Sequence, residues 1–241
     1  MTERRRVLVT GGSKGLGAAM VTELHGRGAA VAFTYRADAE AAERVSRNTG
    51  EAAAGFKHDM VVDDPTVLLD SVVATLGGLD GVILNAGMWA GGRIETVPPE
   101  VWWKVIETNV RGTADLARAA VPHLKGGRGA SMLFISSAVA LSGFPGDTAY
   151  ASSKAALIGF ARSLAHELAG AGVRVNVLAP GFVETEMTAA INGPARQRIE
   201  DRVLLGRFGN AGEIAKAAAF LSEDATYCTG AVLTVDGGWT L

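Results

Sequence analysis

The stretch RVLVTGGSKGLG, Arg6–Gly17, decides the fold. A short apolar run, Val7–Val9, enters a loop with glycines at 11, 12, 15 and 17, and an alanine-rich helical pattern follows at once. Glycines there permit a tight turn out of a strand, let backbone N–H groups approach an anion, and let the next helix pack closely on the strand. The amino end of that helix favours negative charge. Gly11, Gly12, Ser13, Lys14, Gly15, Leu16 and Gly17 are therefore predicted to cradle the phosphates of a nucleotide.

Outward from this loop the same alternation repeats. Short β-branched or apolar runs occur at Arg6–Thr10, Ala30–Tyr35, Ala54–His58, Gly81–Asn85, Ser131–Ser136, Arg174–Ala179 and Ala231–Asp236. Segments of helical period lie between them near 15–27, 38–49, 65–76, 98–124, 150–169 and 211–222. Strands that are apolar almost throughout and separated by helices belong to a parallel sheet covered on both faces. The expectation is an α/β protein: one Rossmann-type, doubly wound domain over residues 1–241, with a seven-stranded parallel sheet. No linker, low-complexity tract or repeat interrupts it, and residues 186–207 form a late, irregular excursion expected to face the substrate.

Composition removes several function classes. The chain has 241 residues, 48% of them hydrophobic, enough for a large core. Its 23 basic and 25 acidic residues are spread without long blocks and give a net charge of -2, so no footprint for nucleic acid is visible. Cys228 is the only cysteine, and His25, His58, His123 and His166 show no ligand spacing; neither a disulfide nor a metal site is predicted. The apolar run after the basic opening MTERRR is too short for a signal core or a membrane span, so a cytoplasmic protein without a membrane partner is expected.

Two further stretches carry chemistry. The second strand ends in FTYRADAE, where an acidic residue would accept hydrogen bonds from the ribose of NAD. Tyr35 and Arg36 stand there instead, which favours a 2′-phosphate and hence NADP(H), with Lys14 as a second cation and Asp38 as a nearby opposing charge. In TAYASSKAALIGF, Thr148–Phe160, Tyr150 and Lys154 are four residues apart and share one helix face. A cation beside a phenol favours its ionisation, which makes the pair a candidate proton donor.

With TGGSKGLG, NAG (Asn85–Gly87), Asn109 in ETNVRG, Ser137 in ISS, YASSK and APGFVETEM (Ala179–Met187) in this order and spacing, the whole chain resembles the short-chain dehydrogenase/reductase family. PGFVETEMT, GRFGNAGEIAKAAAFL and the closing TGAVLTVDGG are most similar to its 3-oxoacyl-[acyl-carrier-protein] reductases and related polyketide ketoreductases. The resemblance implies NADPH-dependent ketone reduction. Ser137 would hold the substrate carbonyl, Tyr150 would protonate it, and Lys154 would lower the phenol pKa and bind the nicotinamide ribose. Asn109 would bind a water linked to Lys154; from the residues alone it is as well a helix-interior amide bonded to nearby backbone. Asp59 and Met60 would flank the adenine, Asn85, Ala86 and Gly87 would line the adenosine ribose, and Pro180, Gly181, Val183 and Thr185 would meet the nicotinamide end. Asp59 also reads as a turn acid and Val183 as a core residue.

The alternatives are a sugar or secondary-alcohol dehydrogenase using the same residues, and a nucleotide sensor without catalysis. Departures from the family pattern also stand out. Leu84 replaces a usual asparagine, and of two arginines expected to dock an acidic acyl carrier protein at the active-site mouth only Arg128 is present, Ala171 occupying the second position. Of the adjacent Trp102 and Trp103, one is expected in the core and one at a subunit interface. Small residues Ala151, Ala155, Gly159 and Ala165 on the Tyr150 helix allow close helix approach, and since the family members this chain resembles pair such helices between subunits, the resemblance implies a homotetramer.

Overall fold

The computed structural model describes residues 4–50 and 52–241. Its strands are β1 (Arg6–Val9), β2 (Ala30–Tyr35), β3 (Ala54–Lys57), β4 (Gly81–Leu84), β5 (Ser131–Ile135), β6 (Arg174–Pro180) and β7 (Val232–Val235). They form one sheet in the order β3-β2-β1-β4-β5-β6-β7, every neighbouring pair parallel. The order reverses between β1 and β4, and the crevice outside the carboxyl ends of those strands is where such a sheet takes a ligand.

The helices are α1 (Gly15–Gly26), α2 (Ala39–Asn48), α3 (Pro65–Leu76), α4 (Pro99–Ile106), α5 (Thr113–Leu124), α6 (Val139–Ser142), α7 (Thr148–Leu168), α8 (Gly193–Glu200) and α9 (Ala211–Ala219). Local chemistry sets several ends. Asp38 accepts from the Ala41 amide at the start of α2, Asp64 from the Thr66 amide at α3, and Asn210 and Glu213 cap α9 reciprocally. Along β1 successive side chains alternate between two cores. Leu8 joins Leu84, Leu116, Phe134 and Leu157 on one face, while Val7 and Val9 join Met20, Phe33, Ile83 and Ile214 on the other. Leu84, the apolar departure, is thus ordinary core.

Three expectations change. The run 98–124 is continuous but widens into a π-helical turn at Glu107–Gly112, which turns Asn109 inward, fully buried. Predicted strands overrun by a residue: Thr10, His58, Asn85 and Ser136 lie just past strand ends, where the chain turns into the crevice. Neither tryptophan enters the core; half-buried Trp102 donates Nε1–H to Thr148 Oγ1 at 3.0 Å, and Trp103, edge-on to it, is 63% exposed. The small-residue face holds for Ala155 and Gly159, both exposed, whereas Ala165 is buried in the core. Among the described residues no helix is long and apolar enough to cross a membrane, and no three His, Cys, Asp or Glu side chains are grouped to hold a metal.

Candidate active site

The glycine loop leaves β1 at the reversal point. Gly11 and Gly15 hold φ of +64° and +50°, left-handed backbone that only glycine adopts freely. A Cβ on Gly17 would stand 2.1 Å from the Gly11 carbonyl oxygen, and one on Gly12 would stand 2.5 Å from Phe33 Cβ. The loop is therefore folded on itself and pressed against β2. Asn85 Nδ2 donates to the carbonyls of Thr10 and Gly11 at 3.0 and 3.2 Å, tying the loop to the end of β4. Thr10, which sequence reading passed over as a strand end, is buried, and its Oγ1 accepts from the Asn85 and Ala86 amides, both at 2.9 Å. With these carbonyls engaged and the amino end of α1 facing the crevice, the loop fits the pyrophosphate of a dinucleotide.

The crevice is a cavity of about 880 Å³. Its wall brings together Gly11, Lys14, Gly15, Leu16 and Gly17 with Asn85, Ala86, Gly87, Ser137, Tyr150, Lys154, Pro180, Gly181, Val183 and Thr185. Gly12, Ser13, Arg36, Asp59, Met60 and Asn109 do not line it. Asp59 is occupied as a turn acid, accepting from the Val61 amide at 2.9 Å, and Met60 has its backbone against Gly112. Val183 is both core and wall, buried and bridged to Gly209.

Ser137 follows β5, and its hydroxyl, which accepts from the Val139 amide at 3.3 Å, lines the same cavity as the Tyr150 phenol on the first turn of α7. Lys154 is buried one turn further on and donates to the Ile135 carbonyl at 2.8 Å. Adjacent Ser136 donates to the Lys154 carbonyl at 2.8 Å and is the structural member of the serine pair. Asn109 accepts from the Met88 amide at 2.8 Å and donates to the Met88 carbonyl and Ser153 Oγ at 2.9 and 3.0 Å, the local bonding its residue type suggests. A Cβ on Gly87 would stand 3.1 Å from Asn109 Oδ1 and 3.4 Å from Lys154 Nζ, so amide and ammonium flank the same glycine.

One electrostatic expectation is reversed. Burial pushes the Tyr150 phenol up to about 12, the charge of Asp147 adds to this, and the nearby Ser137 hydroxyl only partly opposes it. Lys154 Nζ, 5.8 Å from the centre of the ring and bonded to a carbonyl, does not hold the phenol down, and its own pKa falls to about 8 through burial. Asp147, a site residue the sequence reading missed, is buried on the cavity wall and accepts from Trp89 Nε1 at 2.8 Å.

Two cation assignments also change. Lys14 Nζ is held by Asp38 at 2.6 Å and Glu186 at 3.4 Å, so within the protein its charge is already matched, while Arg36 is exposed and forms no ion pair among the described residues. Arg128 lies before β5, and the site lies beyond its far end. Five strand residues span about 16 Å, which places Arg128 at the opposite edge of the sheet from Ser137 instead of at this chain's active-site mouth.

A dinucleotide cradle that opens onto a serine, a phenol and a buried lysine in one cavity makes this protein a dinucleotide-dependent oxidoreductase. Comparison with known proteins narrows the class. Residues 11–240 match the family model described as enoyl-(acyl carrier protein) reductase. The chain is 38% identical over 240 residues, 98% of its length and 97% of the relative's, to the 3-oxoacyl-[acyl-carrier-protein] reductase of Escherichia coli. Among solved structures it is similar to a short-chain dehydrogenase from Burkholderia cenocepacia in complex with NADP, with TM-score 0.93, 32% identity and 100% of both chains covered. It is similar also to the 3-ketoacyl-(acyl-carrier-protein) reductase from Brucella melitensis complexed with NADH, with TM-score 0.92, 30% identity and the same coverage. The chain belongs to the short-chain dehydrogenase/reductase family.

Proposed function

We propose that this protein reduces the ketone of a 3-oxoacyl thioester to the 3-hydroxy product, with NADPH as cofactor and Tyr150 as proton donor. The observation that carries the reading is that Ser137, Tyr150 and Lys154 line the same cavity as the glycine cradle. The relatives' names, 3-oxoacyl and 3-ketoacyl reductases, support the substrate class.

When bound, NADPH supplies the hydride. Everything else falls to the chain. Ser137 donates to the substrate carbonyl and holds it beside the phenol. Tyr150, neutral at physiological pH because burial and Asp147 disfavour the phenolate, donates its proton to the oxygen as charge develops there. Lys154, fixed by Ile135, is placed to bind the nicotinamide ribose and to return a proton towards Tyr150. Asn109 holds Met88 and Ser153, and through them the loop after β4 against α7, so it positions the site and does not touch substrate. Arg36 serves the 2′-phosphate, and Lys14 joins it once the phosphate replaces its carboxylate partners. The exposed Ala155–Gly159 face of α7 and Trp103 supply the surfaces of a homotetramer.

The family model's description favours one second reading, reduction of an enoyl double bond. NADPH oxidation by the purified protein with matched 3-oxobutyryl and crotonyl thioesters separates the two. The proposal expects turnover of the ketone alone and a fall of about 10²- to 10⁴-fold in Tyr150→Phe; turnover confined to the enoyl substrate, or an unimpaired Tyr150→Phe, refutes it.

A further inference from the structure

The segment Gly193–Arg202 carries three arginines with different surroundings. Arg196 is saturated: Glu184 and Glu200 both bind its guanidinium, which also covers the Phe208 ring at 4.4 Å. Arg198 and Arg202 are treated otherwise. They are four residues apart on α8 and its last turn, which puts them side by side, and both line the cavity that holds Ser137 and Tyr150. Neither has a carboxylate partner among the described residues. The acids on the same wall are committed elsewhere, Asp147 to Trp89 and Glu186 to Lys14.

Their platform is rigid. Ile199 and Val203, between and beside them, are buried against Trp239, whose Nε1 donates to Ser142 at 3.0 Å. The Arg202 guanidinium lies 4.1 Å over the Trp239 ring. Stacking fixes its plane and leaves its N–H edge to solvent and ligand. From that edge an aromatic wall leads back to the catalytic segment: Trp239 contacts Phe182 at 4.9 Å and Phe144 at 6.1 Å between ring centres, and the same cluster includes Ala138, next to Ser137.

Two planar cations without acid partners, at one end of an otherwise apolar wall, match a planar anion joined to an apolar body. We propose that Arg198 and Arg202 form an anion subsite, so that the ketone reduced here carries a carboxylate or phosphate, its apolar part lying along Phe144, Phe182 and Trp239. This rests on reading the site as a ketoreductase. The anion has two possible positions on the substrate, the acyl chain or the thiol that carries it, and the chemistry of recognition is the same for both.

The test compares three ketones with the NADPH-loaded full chain. They are the N-acetylcysteamine thioester of acetoacetate, which is neutral; acetoacetyl pantetheine 4′-phosphate, with a phosphate on the thiol side; and the N-acetylcysteamine thioester of a 3-oxo diacid, with a terminal carboxylate. At least one anionic probe is expected to show KM about tenfold below the neutral one, a charge-assisted bond's worth, and Arg198→Gln and Arg202→Gln should each erase most of that preference. Arg202→Lys should keep part of it, which separates charge from packing on Trp239. The favoured probe identifies which side carries the anion. Equal KM values for all three, or an anionic preference that survives the double glutamine variant, overturn the subsite. Calorimetric titration of the corresponding 3-hydroxy products into the NADP-loaded protein judges it independently. If no ketone is turned over, the reductase reading fails, whereas loss of anion-dependent product binding in the double variant still supports the subsite and its absence in wild type refutes it.

Discussion

Lys154→Met is expected to make an inactive protein that is more stable than wild type at neutral pH. The ammonium is buried, and burial alone brings its pKa from 10.5 to about 8. At about 1.4 kcal/mol per pH unit, holding that proton inside the fold costs on the order of 3 kcal/mol. Methionine fills much the same volume without the charge. It leaves the Ile135 carbonyl without its donor, which gives back roughly 1–2 kcal/mol. A net gain of about 1–2 kcal/mol follows. Its pH dependence is more diagnostic than its size. A lysine with a depressed folded pKa penalises the fold fully below that pKa, and between about 8 and 10.5 the unfolded chain binds the extra proton, so wild-type stability rises through that window. The advantage of the variant should therefore be flat below pH 8 and shrink towards pH 10.5. Urea unfolding of both proteins at one fixed concentration, at half-unit steps from pH 7 to 10.5, reads it directly, since taking the difference cancels every other titrating group. A Met variant less stable than wild type at pH 7, or a difference that does not narrow above pH 8, refutes the account of Lys154 as a buried, strained cation.

Asp80, buried and bound to the Arg6 side chain and to the Arg6 and Arg128 amides, has its pKa lowered to about 2, so it adds about 2 kcal/mol of stability above pH 4 that is lost as pH falls towards 2. Asp80→Asn should lower the urea midpoint at pH 7 and flatten the acid limb of the stability curve. Arg36→Ala should weaken NADPH binding about tenfold or more and leave NADH nearly untouched, as measured by calorimetry. Gly17→Ala drives a methyl into the Gly11 carbonyl, so both dinucleotides should lose affinity together, and retention of either would show that the cradle is not their site.

The layers of this protein were legible in the sequence to different depths. The number of strands and their parallel sense followed from local pattern, because apolar runs such as Gly81–Leu84 have only one environment that suits them, a sheet covered on both faces. The glycine loop was legible because steric demands at Gly11, Gly15 and Gly17 are written in a residue type. The π-helical turn was not, since nothing in ETNVRG differs from an ordinary helix until Met60 packs on Gly112 and Met88 claims the Asn109 amide. Charge partners were the least legible. Lys14 and Asp38 are 24 positions apart and meet across a loop, and Arg198 and Arg202 differ from Arg196 only in the acids that tertiary structure brings near.

The same distinction bears on the direction of the reaction. A phenol four residues from a lysine reads from sequence as a proton donor with a lowered pKa, and the same residues serve oxidation of an alcohol as well as reduction of a ketone. In the fold, the lysine is turned to a strand-end carbonyl, and the charge weighing on the phenol is that of Asp147, a carboxylate that favours the protonated form. Burial acts in the same sense on Tyr150 and in the opposite sense on Lys154, so the site at rest holds a firmly protonated phenol beside a cation that gives up its proton near pH 8. In the proposed mechanism such a pair donates through the tyrosine and is refilled through the lysine, whereas accepting a proton would first require a phenolate that burial and Asp147 both oppose. The bias towards a protonated phenol comes first from burial and then from Asp147, which the motif does not contain, and it suits the proton-donor role proposed for Tyr150.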